Sequence, residues 1–165
     1  MSPEEERNIV IELLKAYPFL DEEIRLNIES AKDIEEVYYN SGTAINFDGM
    51  PHAKYNTKSP VELAATHIPN DIRETCKRYR SDAQKCQAVK TRLISHVSHL
   101  NSREKNVIIC HYFKRNTWEV TAKNLSYSER QCRNIKDIAI NQLVKPIMHD
   151  SVLMSFSRQR NIAHN

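Results

Sequence analysis

Apolar residues recur along this chain at spacings of three and four and never alternate for long, a pattern that predicts helices and no sheet. Ile9, Val10, Leu13, Leu14 and Tyr17 form the first apolar stripe. Ahead of it stand Ser2, Pro3 and three glutamates: a capping hydroxyl, a proline in the first turn, and carboxylates facing the positive end of the helix dipole. Pro18 is expected to interrupt that helix, since an internal proline lacks an N–H and clashes with the carbonyl four residues back. Leu20, Ile24, Ile28, Ala31 and Ile34, with Val37 or Tyr38, then predict a second amphipathic helix over about 19–39. The two should form an antiparallel or strongly bent pair.

Residues 40–59 carry no sustained stripe and hold both glycines of the chain, so they read as a linker. Ser59-Pro60-Val61-Glu62 has the form of a capping box, and Pro69 should break or kink the helix it starts. From Ile72 a seam runs through Cys76, Tyr79, Ala83, Cys86, Leu93, Val97 and Leu100, with Lys90 at the missing apolar position. Such a seam suits a long helix, packed on the chain's own N-terminal helices or on a second copy in a homodimer; the spacing does not separate the two.

The most informative pattern is in residues 117–143, "TWEVTAKNLSYSERQCRNIKDIAINQL". Asn101 and Ser102 start the helix before it, with Val107, Ile108, Cys110, His111 and Tyr112 on its apolar side. Asn116 and Thr117 then cap a short helix with Trp118, Val120, Ala122 and Leu125 facing inward. After "SYS", Ser128 caps a helix over 129–143. At about 100° per residue, Cys132, Ile135, Ala139 and Leu143 share its inner side. Arg130, Arg133, Asn134, Asp137 and Asn141 share the outer side. Helices joined this tightly project at a steep angle, which is the geometry of a helix-turn-helix.

The outer set suits base readout: guanidinium groups pair bidentately with guanine or clamp phosphate, and an amide pairs with adenine. Ser128, with Ser126, offers a hydroxyl near the free amides of the helix N-terminus, and Lys123, Lys114 and Arg115 are placed to hold phosphates. The candidate DNA-binding residues are therefore Arg130, Arg133, Asn134, Asp137, Asn141, Ser128, Lys123 and Arg115.

Charge supports two parts with different partners. Residues 1–48 hold four Lys/Arg and twelve Asp/Glu, a net of −8, whereas residues 49–165 hold twenty and nine, a net of +11. A basic C-terminal part suits phosphate; an acidic N-terminal part would be repelled by it and suits protein contact. No run of about 18 apolar residues suggests a membrane span, and the acidic start is unlike a signal peptide, so a cytoplasmic location is expected. Cys76, Cys86, Cys110 and Cys132 stand far apart, as buried free thiols would, and His96 and His99 lack the convergent partners of a metal site. No cofactor is expected. Neither a nucleophile with its base nor a phosphate loop stands out, so an enzyme is not the expected reading.

Residues 100–143 resemble the fourth region of bacterial sigma factors, in which a helix-turn-helix reads the −35 promoter element. The likeness lies in Leu100, the "SRE" opening, the hydrophobic stretch ending in tyrosine, Ala122, and "SERQCRNI" followed by Ala139 and Leu143. It covers about a quarter of the chain. "FDGMPHAKYNTKSP" in the linker is similar to the "GMPH" segment of phage-encoded regulators of the ArpU and RinA type, although Ala53-Lys54-Tyr55 stands where members continue with glycine and serine. We read that segment as a turn packed around Met50 rather than a ligand site.

The resemblance implies a phage or prophage transcriptional regulator that activates late-gene promoters on double-stranded DNA, and the acidic N-terminal part suits contact with itself, RNA polymerase or another regulator. The expected architecture is all-α: an acidic helical hairpin or bundle (1–41), a linker (42–58), a long kinked connecting helix (59–100), a sigma region four-like helix-turn-helix (101–146) and a tail (147–165). The tail is read as disordered or as adding phosphate contacts through Arg158 and Arg160. Two other classes fit the same pattern: a small terminase-like DNA-packaging factor, and a protein-binding antirepressor.

Overall fold

The structure, a computed structural model, describes residues 2–43 and 69–162. Among these residues it is all-helical, with no strand: α1 (Pro3–Thr43), α2 (Asn70–Ser98), α3 (Ser102–Ile108), α4 (Trp118–Leu125), α5 (Glu129–Met148) and α6 (Ser151–Ile162). The "GMPH" segment and the Ser59 capping box lie outside the described residues. The chain divides into two compact units, one of Met1–Glu22 with Lys85–Asn165, the other Glu23–Gln84.

The expected N-terminal hairpin is instead one helix that runs through Pro18. Its start is as expected: Ser2 and Glu5 exchange bonds, the Glu5 amide to the Ser2 hydroxyl and the Ser2 amide to the Glu5 carboxylate. Side chains on both sides of the proline hold the helix through it. Leu14 and Leu20 are fully buried, and the Tyr17 ring stacks on Phe113 with centres 3.7 Å apart. Each buried leucine contributes about 1.5–3 kcal/mol, enough for two of them to offset the roughly 3 kcal/mol penalty of an internal proline.

In the larger unit the buried core draws on every helix: Val10 and Leu14 of α1, Val89, Leu93 and Val97 of α2, Val107 and Ile108 of α3, Ala122 of α4, Ile140, Leu143 and Ile147 of α5, and Leu153 of α6. Val89, not the Lys90 position, continues the α2 seam; Lys90 is half-buried, with its ammonium on Asp21 and over the Tyr17 ring. Its stem covers apolar surface while the charge meets a carboxylate.

In the smaller unit α2 starts directly after Pro69, whose carbonyl accepts the Arg73 amide. Ala31 and Cys76 are buried together, the thiol donating to the Ala31 carbonyl at 3.6 Å, and Arg80 pairs with Glu35 at 2.8 Å. Ile28 and Val37, expected on an inner stripe, are exposed at 40% and 70%.

Of the two readings of the tail, disorder is not what the structure shows. α5 continues past Pro146 to Met148, and residues 151–162 form α6. Asp150 caps α6, its Oδ1 accepting the Val152 and Leu153 amides at 3.0 and 3.3 Å. Leu153, Met154 and Ser157 are buried, and Arg160 lies over Phe156 at 5.0 Å.

Candidate functional site

Three residues connect α4 to α5, and local chemistry determines both ends of that connection. Thr117 caps α4 by accepting the Val120 amide, and α4 closes in a Schellman turn. The Tyr127 amide reaches the Ala122 carbonyl at 3.0 Å, the Ser126 amide reaches Lys123, and Ser126 sits in the left-handed region at φ 57°. α5 then opens with a full capping box. The Ser128 hydroxyl accepts the Gln131 amide, and the Gln131 side chain accepts the Ser128 amide, both at 3.2 Å.

α5 turns its apolar side inward much as its pattern predicts. Cys132, Ala139, Ile140 and Leu143 are buried and Ile135 is half-buried. Burial pushes the Cys132 thiol pKa up, with smaller effects in the same direction from Cys110 and Glu129. α4 departs from its pattern: Val120 is 42% exposed, and Thr121 is fully buried in its place with Ala122. A helix this short fixes its orientation through its caps and contacts more than through its own stripe.

The eight candidate residues fall into four groups. Arg130, Asn134 and Lys123 are exposed side chains. Arg133 is exposed but oriented, bonded to Glu129 at 2.8 Å with its guanidinium 5.9 Å from the centre of the Trp118 ring. Ser128 and Arg115 serve local structure: the serine hydroxyl belongs to the capping box, and Arg115 lies over the Phe19 ring at 4.8 Å with φ 56°. Asp137 and Asn141 are engaged from within the chain. Arg7 of α1 donates to Asn141 Oδ1 at 2.7 Å and to Asp137 Oδ1 at 3.0 Å, and Lys136 meets the same Asp137 oxygen at 2.8 Å.

Arg7 was not distinguishable in the sequence as a partner of this face. It is one arginine in an acidic helix start, 130 residues from Asp137. The pair is partly exposed, so its net contribution to stability is about 0–1 kcal/mol; its importance is positional.

Beneath α4, the wide turn at Ile109–Phe113 brings His111 flat against Trp118, ring centres 3.6 Å apart, while His111 Nδ1 meets the Asn116 carbonyl at 2.9 Å. Burial lowers the His111 pKa, with Lys136 acting in the same direction and the Asn116 bond against both. Tyr112 is buried beside it. Its phenol is pushed up to about 12, first by burial and then by Asp137 and Glu12.

All four cysteines are buried thiols outside any disulfide, as expected. His96 meets Asp150 at 3.0 Å and His99 the Ser95 carbonyl, so neither turns toward the other as a metal pair. Among the described residues no group of three His, Cys, Asp or Glu is close enough to hold a metal ion, and no helix is long and apolar enough to cross a membrane. Set against family models, curated proteins and solved structures, the chain matches none of them.

Proposed function

We propose that this protein is a sequence-specific DNA-binding transcriptional regulator of phage or prophage origin, with α4 and α5 acting as a helix-turn-helix and α5 as the recognition helix. The observation that carries the proposal is the doubly closed three-residue connection at 126–128, which leaves Arg130, Arg133 and Asn134 exposed on one side of α5 and Lys123 exposed on α4. On this reading Arg130, Arg133 and Asn134 meet base edges in the major groove and Lys123 holds a phosphate. The basic excess of residues 49–165 supplies the attraction to the duplex. Activation of late-gene promoters follows from the resemblance and is part of the proposal, with the acidic N-terminal part suited to contact with itself, RNA polymerase or another regulator.

Mapping of bound sites across a host genome, followed by binding of the recovered duplex over a range of salt, tests the reading. A discrete set of promoter-proximal sites and an affinity that falls steeply with salt are expected. No salt-dependent affinity would overturn it in favour of a protein-binding antirepressor. A ring-sized oligomer on non-promoter sites would favour a packaging factor.

A further inference from the structure

We infer that the first turn of α1 is a fixed electrostatic stop on the candidate DNA surface, confining it to the N-terminal half of α5; this rests on the DNA-binding reading above. Arg7 places the start of α1 directly on that surface, through Asp137 and Asn141. Glu4, Glu5 and Glu6 precede Arg7, within about 4.5 Å of it along the helix axis. Glu4 is one turn before Arg7 on the same side of α1 and is exposed.

A duplex laid along the whole outer side of α5 would bring phosphates within a Debye length of these carboxylates, about 8–10 Å at physiological salt. α1 cannot easily move aside, because Val10, Leu13 and Leu14, one to two turns further on, are in the buried core. Asp137 points to the same limit. Its charge is already met by Arg7 and Lys136, so reading a base with it would require breaking two ion pairs. Arg130, Arg133 and Asn134 remain as the face that DNA can approach.

The test compares the full-length protein with a Glu4→Gln/Glu5→Gln/Glu6→Gln variant and with the single variant Glu4→Lys. Glutamine at position 5 keeps the helix cap, since its side-chain oxygen can still accept the Ser2 amide. A control variant, Asp33→Asn/Glu36→Gln/Glu74→Gln, removes the same number of charges from exposed positions of the other compact unit. Binding to a duplex recovered from the mapped sites is read by fluorescence anisotropy at low and high salt, with circular dichroism melts to establish folding.

Both α1 variants are expected to bind about 3- to 10-fold more tightly than the parent at low salt, an advantage that shrinks as screening increases. The control should gain much less. Equal affinity for the parent and both α1 variants overturns the inference and leaves the DNA reading in place. An equal gain from the control also overturns it, by showing a net-charge effect alone. Absence of DNA binding in all four proteins overturns the DNA reading and this inference with it.

Discussion

His111 and Trp118 lie face to face, 3.6 Å between ring centres and 19° from parallel, joining the turn after α3 to the first residue of α4. His111 has its pKa lowered by burial below 6.5, so the fold favours the neutral ring. The unfolded chain therefore takes up a proton first as pH falls. The stability from this group is fully present above pH 6.5 and is lost as pH falls through the folded value. Trp118 is the only tryptophan, so its fluorescence reports this stack with no other tryptophan contributing. Its pH titration is expected to show a midpoint below 6.5 that disappears in His111→Phe. A midpoint at or above 6.5 would contradict the assignment.

The exposed arginines and the engaged pair on α5 should behave differently toward DNA. Arg130→Ala and Arg133→Ala are expected to lose about 1–3 kcal/mol each and to relax preference at one base pair. Lys123→Ala should weaken all sequences alike and reduce the salt slope by about one. Asn141→Ala should leave base preference unchanged, because its amide oxygen accepts from Arg7. Anisotropy with a panel of single-base operator variants measures all four, and a changed preference in Asn141→Ala would place that residue on the DNA.

Asp150 links the start of α6 to α2 through His96 at 3.0 Å and Arg92 at 3.9 Å. Burial acts to raise its pKa, but the His96 ring, the Leu153 and Val152 amides and Arg92 together outweigh burial and hold it below 3.8. Its stabilisation is fully present above pH 3.8 and is lost as pH falls below that value. Asp150→Ala is expected to lose about 1–2 kcal/mol near neutral pH, the scale of a lost helix cap. Urea unfolding in pH steps should show a flatter acid limb for the variant; parallel limbs would rule out this role.

Ser126 occupies a left-handed position usually taken by glycine. Ser126→Gly is expected to raise stability by up to about 1 kcal/mol, relief of the Cβ clash being partly offset by glycine's greater chain entropy. Ser126→Val should lower it by more than about 1 kcal/mol, since a β-branched residue fits that region poorly. Thermal melts would measure both, and a stable valine variant would show that the turn is not held as described.

The all-helical class, the caps at Ser2, Asn101, Thr117 and Ser128, and the inner side of α5 were legible in the sequence because each rests on residues within one or two turns of one another. Pro18 was misread because the contacts that carry α1 through it come from distant chain, Phe113 among them. Thr121 replaced Val120 inside for a related reason: eight residues are too few for a stripe to outweigh two caps and a stacked tryptophan. α6 was missed because its apolar pattern, Leu153, Met154 and Phe156, is short and set among arginines and serines. For the candidate site, the exposed Arg130, Arg133 and Asn134 follow from helical phase. The withdrawal of Asp137 and Asn141 depends on Arg7, which no local pattern places there.

The contact between Arg7 and α5 also orders events during synthesis. Helices α3, α4, α5 and α6 meet their near neighbours in sequence, whereas Arg7 meets a residue 130 positions later. Contacts of long sequence separation form slowly, because a large loop must close before they are rewarded. α1 is synthesised before α5, so the Arg7 contact is among the last to form. Until α5 is made, Arg7 lacks Asp137 and Asn141, and Val10 and Leu14 lack the part of the core that Ile140 and Leu143 supply.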